Sequence, residues 1–326
     1  ISPIVDLVDA ELAAADDAAL TFFELLTVLA FVAFADAPID VLVLEVGMGG
    51  SWDATNTADG DVAVVAPSDL DHADRLGETI TEIATVKSGI IKPGAAAVSA
   101  RQHPSAAAVL REAAARQSAT LAVEQGDFAL EDARLAVGGQ VVTIRGLHAR
   151  YTDVYLPLYG GHQAENATLA VAAVESLLAP GDRGLDPDVV AEGLGTATSP
   201  GRVQVVGADP TVVVDAAHNP HGARALTAAL AASFDFDEWG LVLGVLDDKD
   251  AAGILQALSS VEGPVFATVP DSDRARDADA LWGQVDWTTR SAAGAVAARV
   301  RAAYPTTAPD TARRLERALG LPAAAM

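Results

Sequence analysis

Short, unbroken apolar runs alternate with Ala- and Leu-rich stretches of helical period along most of this chain. That alternation restricts the fold more than any other feature. "VLVLEV" (41–46), "DVAVVAP" (61–67) and "AAAVSA" (95–100) read as strands, the first as a central parallel strand buried on both faces. "VDLVDAELAAADDAA", "TFFELLTVLAFVAFADA", "TITEIATVKSG" and "SAAAVLREAAARQSA" read as helices, the second of them buried. The class is therefore α/β with parallel strands. From about Asp127 to Leu158 the character changes to short, glycine-punctuated segments ("RLAVGGQVVTIRGL", "TDVYLPL"), expected as an antiparallel insertion. "GHQAENATLAVAAVESLL" is a helix. Ser199, Pro200 and Gly201 break the pattern, and a second α/β series follows: "TVVVDAA", "HGARALTAALAASF" begun by Asn219 and Pro220, "GLVLGVL", "DDKDAAGILQALS", "PVFATV" and "DADALWGQV". The tail "TARRLERALGLPAAAM" reads as a helix with a frayed end. A length of 326 residues makes two domains the prior, here 1–198 and 199–326.

Charge and composition exclude several functions. A formal net charge of −24 argues against nucleic acid as a partner. The apolar run in "LLTVLAFVAFA" is too short to span a bilayer, and no basic segment opens the chain, so no membrane partner is expected. The absence of cysteine removes thiolate metal sites and fits a cytoplasmic protein. No Lys or Arg precedes Arg75, so the first 74 residues bring no cationic side chain to a phosphate.

The segment "EVGMGGSWDATN" (45–56) resembles a phosphate loop at first sight. It has no lysine, and Gly47, Gly49 and Gly50 have the wrong spacing for a dinucleotide fingerprint. What remains is a carboxylate, Glu45, at the carboxyl end of a strand, where open α/β sheets bind ligands. A cation or a salt bridge would partner it. His72 follows the next strand and reads either as a second ligand for a Mg²⁺-type ion or as a structural histidine. Lys87, between apolar positions on a helix, reads as buried with a partner or as snorkelling. In "VVVDAAHNPHG", Asp215 and His218 are candidates for ligand contact, and Asn219 for a helix cap. "GVLDDKD" places Asp247, Lys249 and Asp250 after a strand, as ligand contacts or as a solvated loop.

Seven of these stretches, "TFFELLTVLAF", "VLEVGMGGSWDATN", "DHADRLGETITEIATVKSGIIKPG", "GHQAENA", "SPGR", "DAAHNPHGA" and "GVLDDKD", stand in the order found in folylpolyglutamate synthases and dihydrofolate synthases, of the Mur ligase superfamily. The chain resembles that family from near residue 1 to about residue 285. Lysine and asparagine occur three times each, and Asn56, Asn166, Asn219, Lys87 and Lys249 all fall inside these motifs. The resemblance implies a Mur-ligase-like fold, with a P-loop-type central α/β domain followed by a Rossmann-like C-terminal domain. It implies an ATP-dependent ligase of folate biosynthesis and one-carbon metabolism. ATP phosphorylates a carboxylate of dihydropteroate or folate, and the amine of L-glutamate displaces the phosphate. The implied cofactors are ATP and Mg²⁺, with K⁺ as a further option.

Position by position, Glu45 and His72 are similar to the family's Mg²⁺ ligands, and Lys87 to its carbamylated lysine. Asn166, Arg202 and Asp215 match ATP contacts. Thr21, Phe22, Phe23 and Glu24, with Trp52, Asp53 and Ala54, match pterin-side substrate segments. His218 matches a histidine near the incoming glutamate. Two departures are local: Ser51 stands where arginine is frequent, and Val86 where glutamate is. "PDSDRARDADAL" matches a Pro-Arg-Ala motif only loosely, and no last strand is recognisable after Ala303. The family's G-T-N-G-K-G-S type loop is not found in these 326 residues. The expectation is of an N-terminally incomplete central domain, a monomer without ligase activity alone. The alternatives are a remnant that binds folate or a partner, and a Mur-type cell-wall ligase.

Overall fold

A computed structural model of the chain describes residues 5–6, 8, 10, 20–68, 73–178, 183–236, 239–261, 263, 265–270 and 272–283. Two compact units divide it: residues 1–132, 143–152 and 165–190, and residues 133–142, 153–164 and 191–326.

In the first unit, strands β1 (Val62–Val65), β2 (Ala96–Ser99) and β3 (Thr120–Val123) form a parallel sheet in the order β1–β2–β3, with Val64 opposite Val98 and Val98 opposite Ala122. The central strand shows why it needs apolar residues on both faces. Ala97 packs with Leu110 and Ala113 of helix α4 (Pro104–Arg116), together with Ala63 and Val65. Its neighbour Val98, on the opposite face, packs with Leu169 and Ala172 of helix α5 (Gly161–Leu178) and with Phe128. Helices α1 (Phe22–Asp36), α2 (Ala73–Leu76) and α3 (Ile80–Lys87) precede α4 in the chain. Gln102 pins the carboxyl edge of the sheet. Its amide donates to Ala66 O at 2.9 Å and accepts from Ser68 N at 2.9 Å.

A three-stranded sheet follows, in the order β4 (Ala129–Ala136), β5 (Gly139–Arg145) and β6 (Arg150–Leu156), its residues divided between the two units. Val137 and Gly138 alone join β4 to β5, with Gly138 at φ +79°, a connection only antiparallel strands allow. Helix α6 (Pro187–Gly195) comes after α5.

The second unit contains the antiparallel hairpin β7 (Gln204–Ala208) and β8 (Thr211–Val214), and the parallel pair β9 (Leu241–Leu243) and β10 (Val265–Ala267). Helices α7 (Pro220–Ser233) and α8 (Ala251–Ala257) bury Ala223, Ala251 and Ile254 with Val245 and Leu281, the last from helix α9 (Ala278–Gly283).

Two sequence expectations meet a different outcome. The run 41–46 pairs with no strand among the described residues, and Val43 is 88% exposed. Apolar content marks a segment that can enter a sheet, but a strand exists only where a second backbone completes its ladder. Helix α1 forms as expected, yet Thr27 is its single buried residue among the described ones, while Phe22, Phe23, Leu26 and Phe34 are exposed. Strand β3 and helix α6 had no counterpart in the reading, being short and without decisive periodicity. The helical tail expected from residue 311 lies outside the described residues.

One buried polar lock ties α5 to the insertion. Glu175 is 0% exposed and accepts hydrogen bonds from Tyr151 Oη at 2.7 Å and Leu147 N at 2.5 Å. Tyr151 Oη in turn accepts from Leu185 N at 2.8 Å. Burial, with the donation to Glu175, pushes the Tyr151 phenol up to about 12. A folded-state value above the unfolded one favours the neutral phenol. Its stabilisation is complete below pH 10, the unfolded value, and is lost as pH rises towards 12. Tyr151→Phe should cost about 1 kcal/mol at pH 8. It should also lose less than the parent between pH 10 and 12, by about 2 kcal/mol. Urea midpoints of both proteins across that range test this, and parallel curves would refute it.

Candidate functional site

Candidate residues gather in two places, one in each unit. In the first unit the centre is the glycine turn 47–50. A Cβ on Gly47 would collide with the ring of Phe23, at the start of α1. Gly49, at φ +75°, faces Val86, Leu76 and the indole of Trp52. A Cβ on Gly50 would stand 2.7 Å from Val86 O and 3.0 Å from Lys87 O, at the end of α3. The turn is therefore glycine for want of space on three sides and, at Gly49, for backbone conformation. Ser51 extends the contact, with its N and Oγ both donating to Val86 O at 2.9 Å. Asn56 Nδ2 donates to Gly89 O at 3.1 Å, and Lys92 Nζ to Asn56 O at 2.6 Å. Three motifs far apart in sequence are thus tied to one turn. Glu45, two residues before it, is exposed, and Lys87 is half-buried.

The substrate-side candidates also have local structural work. Thr21 and Glu24 form a capping box on α1: Glu24 Oε2 accepts from Thr21 N at 2.7 Å and from its hydroxyl at 2.8 Å. The donation from Thr21 N holds the Glu24 carboxyl below its ordinary value. Asp53 is buried, and accepts from Met48 N at 2.8 Å, Thr55 N at 3.0 Å and Thr55 Oγ1 at 2.6 Å. Burial works to raise its carboxyl, but the Thr55 hydroxyl and the backbone donors outweigh burial and hold it low. Phe22 and Trp52 remain exposed, Trp52 by 55%, and Ala54 opens the short 3₁₀ turn that Asp53 caps.

The metal candidates divide. His72 lies outside the described residues, and among the described residues no cluster of three His, Asp or Glu could hold an ion. A hard divalent cation wants carboxylate oxygen, which the exposed Glu45 offers. A Lys87 ammonium would repel such an ion, whereas a carbamate on the same nitrogen would not. Among the described residues, then, Glu45 is the one metal candidate whose side chain suits Mg²⁺ as it stands.

In the second unit Asp215 is the organiser. Its Oδ2 accepts from Val203 N and its Oδ1 from Ala217 N, both at 2.8 Å. Ala216 N donates to Gly201 O at 2.7 Å. The turn that carries Arg202 is thereby clamped to the loop that carries His218, whose Nδ1 lies 3.0 Å from Ala216 O. Arg202 and His218 are exposed. Asn219 caps α7 through Gly222 N at 2.7 Å, as its position before Pro220 predicts. The "GVLDDKD" loop is held by Arg276, which donates to Asp247 O at 2.9 Å and Lys249 O at 3.3 Å. Its Lys249 pairs with Asp248 at 3.4 Å, and Asp250 caps α8. These partners favour the structural reading of that loop. Asn166 is exposed on α5, in the first unit.

Sequence reasoning passed over His162 and Glu175. A lone carboxylate in the apolar run "AVAAVESLL" was the available signal for Glu175. His162 carried none beyond its place in "GHQ".

Known proteins resemble the chain along most of its length. The model for the Mur ligase middle domain matches residues 6–174, and that for the Mur ligase glutamate ligase domain residues 201–316. A dihydrofolate synthase/folylpolyglutamate synthase of Mycobacterium tuberculosis is 48% identical over 291 residues. That alignment takes in 86% of this chain and 60% of the relative, so the chain spans about three fifths of that protein. A crystal structure of the Mycobacterium tuberculosis folylpolyglutamate synthase complexed with ADP and AMPPCP superposes with a TM-score of 0.81 at 47% identity, over 86% of this chain and 64% of that one. A folylpolyglutamate synthase complex with AMPPCP and folate gives 0.75 at 32%, over 83% and 66%.

Proposed function

Because this chain belongs to the Mur ligase superfamily, and within it to the folylpolyglutamate synthase and dihydrofolate synthase family, we propose that the protein carrying it joins L-glutamate to dihydropteroate or folate at the expense of ATP. The observation that carries this reading is the glycine turn 47–50, against which the "TFFE", "DRLGETI" and "VKSG" motifs all pack.

In this reading the exposed faces of Phe22, Phe23 and Trp52 take the flat pterin, whose burial needs apolar and aromatic surface. Thr21, Glu24, Asp53 and Ala54 hold those faces in place through their caps. Glu45 and His72 hold Mg²⁺, which when bound neutralises charge on the phosphates. Lys87 serves as a carbamate, adding a carboxylate on that side. Asn166, Arg202 and Asp215 serve the nucleotide. Both oxygens of Asp215 already hold backbone N–H groups, so it works chiefly by keeping Arg202 in position. His218 borders the glutamate. The family's two functional domains are read as 1–198 and 199–326. No helix among the described residues is long and apolar enough to cross a membrane, and the protein is read as a cytoplasmic monomer.

The test is an assay of the full-length protein that carries this chain, with ATP, labelled L-glutamate and, in parallel, dihydropteroate, folate or a UDP-muramoyl substrate. The expected result is ADP release coupled to glutamyl amide formation with a pterin substrate only. Product from the muramoyl substrate alone would transfer the reading to cell-wall ligation. Folate binding without ADP release would favour a non-catalytic binder.

A further inference from the structure

Lys87 is the last residue of α3, and the last carbonyl groups of a helix have no partner within it. Here they find partners from two sources. Ser88 N donates to Ala84 O and Val86 O, and Ser88 Oγ to Thr85 O at 2.8 Å. The other donors come from the segment that carries Trp52, Asp53 and Ala54. Ser51 N and Oγ both reach Val86 O, and Asn56 Nδ2 reaches Gly89 O at 3.1 Å. Val86 precedes Lys87 and Gly89 follows it by two positions, so the clamped carbonyls flank the lysine in the chain. The same Asn56 amide donates to Ser51 O at 3.3 Å, which closes its own segment around residues 52–54. Gly89 is required where it stands, because a Cβ there would collide with Ser51. Asn56 is anchored in turn. Its N donates to Asp53 O at 2.9 Å, and its O accepts from Lys92 Nζ at 2.6 Å. The Lys92 side chain is only 19% exposed, and its ion pair with the exposed Asp59 is long, at 3.9 Å. The carbonyl of Asn56 is therefore the closer partner of that ammonium.

We propose that Asn56, backed by Lys92, is a positioning residue for Lys87. It caps the end of α3 from outside the helix, and so fixes the lysine relative to the wall formed by residues 52–54. The inference rests on the role of Lys87 given above. Removal of the Asn56 amide frees Gly89 O and Ser51 O together, so the helix end and the wall lose a common reference at one stroke. A displacement of about 1 Å at a reacting group costs about a hundredfold in rate. The two Ser51 donors remain on Val86 O, so the helix end is loosened rather than released. The expected loss is accordingly nearer tenfold than a hundredfold, on the order of magnitude set by such displacements.

The experiment uses the full-length protein that carries this chain. Asn56→Ala should lower the kcat of glutamate ligation about tenfold, with the KM for ATP changed by less than about twofold. Lys92→Met should act in the same direction. Thr57→Val is the control. It removes a hydrogen bond inside the same 3₁₀ turn, from Thr57 Oγ1 to Ala54 O at 3.0 Å, that does not reach α3. Its kcat should stay at the parent value, and a loss equal to that of Asn56→Ala would mean general loosening and overturn the proposal. The lysine itself is followed by NMR with ¹³C at lysine Cε, the Lys87 resonance being assigned with Lys87→Arg. That resonance should shift or split in Asn56→Ala and stay in place in Thr57→Val. A parent-like resonance or a parent-like kcat in folded Asn56→Ala overturns the proposal. If Asn56→Ala does not fold, Lys92→Met is judged by the same two readouts. If Lys87→Ala keeps the parent kcat, the reading of Lys87 fails and takes the proposal with it, even where the resonance responds.

Discussion

Glu175→Ala is expected to destabilise the first unit by about 3–5 kcal/mol, a large share of what a domain of ordinary stability possesses. Three facts combine to that figure. The side chain is fully buried, so the truncation leaves a cavity. Two donors, Leu147 N and Tyr151 Oη, lose their acceptor at once. Tyr151 is also the acceptor for Leu185 N, so the disturbance passes along the chain of bonds to the segment after α5. Glu175→Gln retains one acceptor oxygen and the volume, and should cost only about 1–2 kcal/mol. Urea unfolding followed by far-UV circular dichroism separates the two variants. An alanine variant within 1 kcal/mol of the parent would show that the lock is replaceable by water.

The second large effect concerns the glycine turn. In the full-length protein that carries this chain, Gly50→Ala should lower the kcat of glutamate ligation about a hundredfold. It should also cost about 2–3 kcal/mol of stability. The added methyl meets Val86 O at 2.7 Å and Lys87 O at 3.0 Å. Both are backbone atoms, which yield only if the end of α3 moves, and Lys87 moves with it. Because Gly50 does not require a left-handed conformation, the whole effect is attributable to space. Gly60→Ala is the matched control: its methyl would meet only Val62 O, at 3.7 Å, and should change neither quantity. Thermal unfolding and a steady-state assay normalised to folded protein measure both. Parent-like kcat in Gly50→Ala would break the proposed link between the turn and catalysis.

Features set by local chemistry were readable from the sequence. Asn219 before Pro220 announced the cap of α7, and the glycine between β4 and β5 announced a tight turn. The parallel sheet followed from the alternation of strand-like and helix-like runs, although the central strand is β2, whose adjacent apolar residues face opposite layers, and not the run 41–46. Whatever depended on a partner from elsewhere was not readable. The run 41–46 has strand composition and no ladder among the described residues, and α1 has core composition and an exposed surface. Of the site, the motifs supplied the residues but not their connections. Asp215 reaches Val203, twelve positions earlier, and Gly50 reaches the α3 terminus, more than thirty positions later. No periodicity encodes such contacts, because they arise when loops at one edge of a fold meet. Glu24 and Asp53 show the converse, since residues picked for a ligand prove first to be caps.

The apolar run at 41–46 carries a consequence for how the molecule behaves in solution. A β-prone segment without a partner strand, as this one is among the described residues, is a template for the same segment of another copy. Mutual repulsion from a net charge of −24 opposes such pairing. That repulsion reaches about 10 Å in 0.1 M salt and about 3 Å in 1 M salt. Added salt therefore removes the barrier to self-association while leaving the sticky segment untouched, and colloidal stability is greatest in dilute buffer.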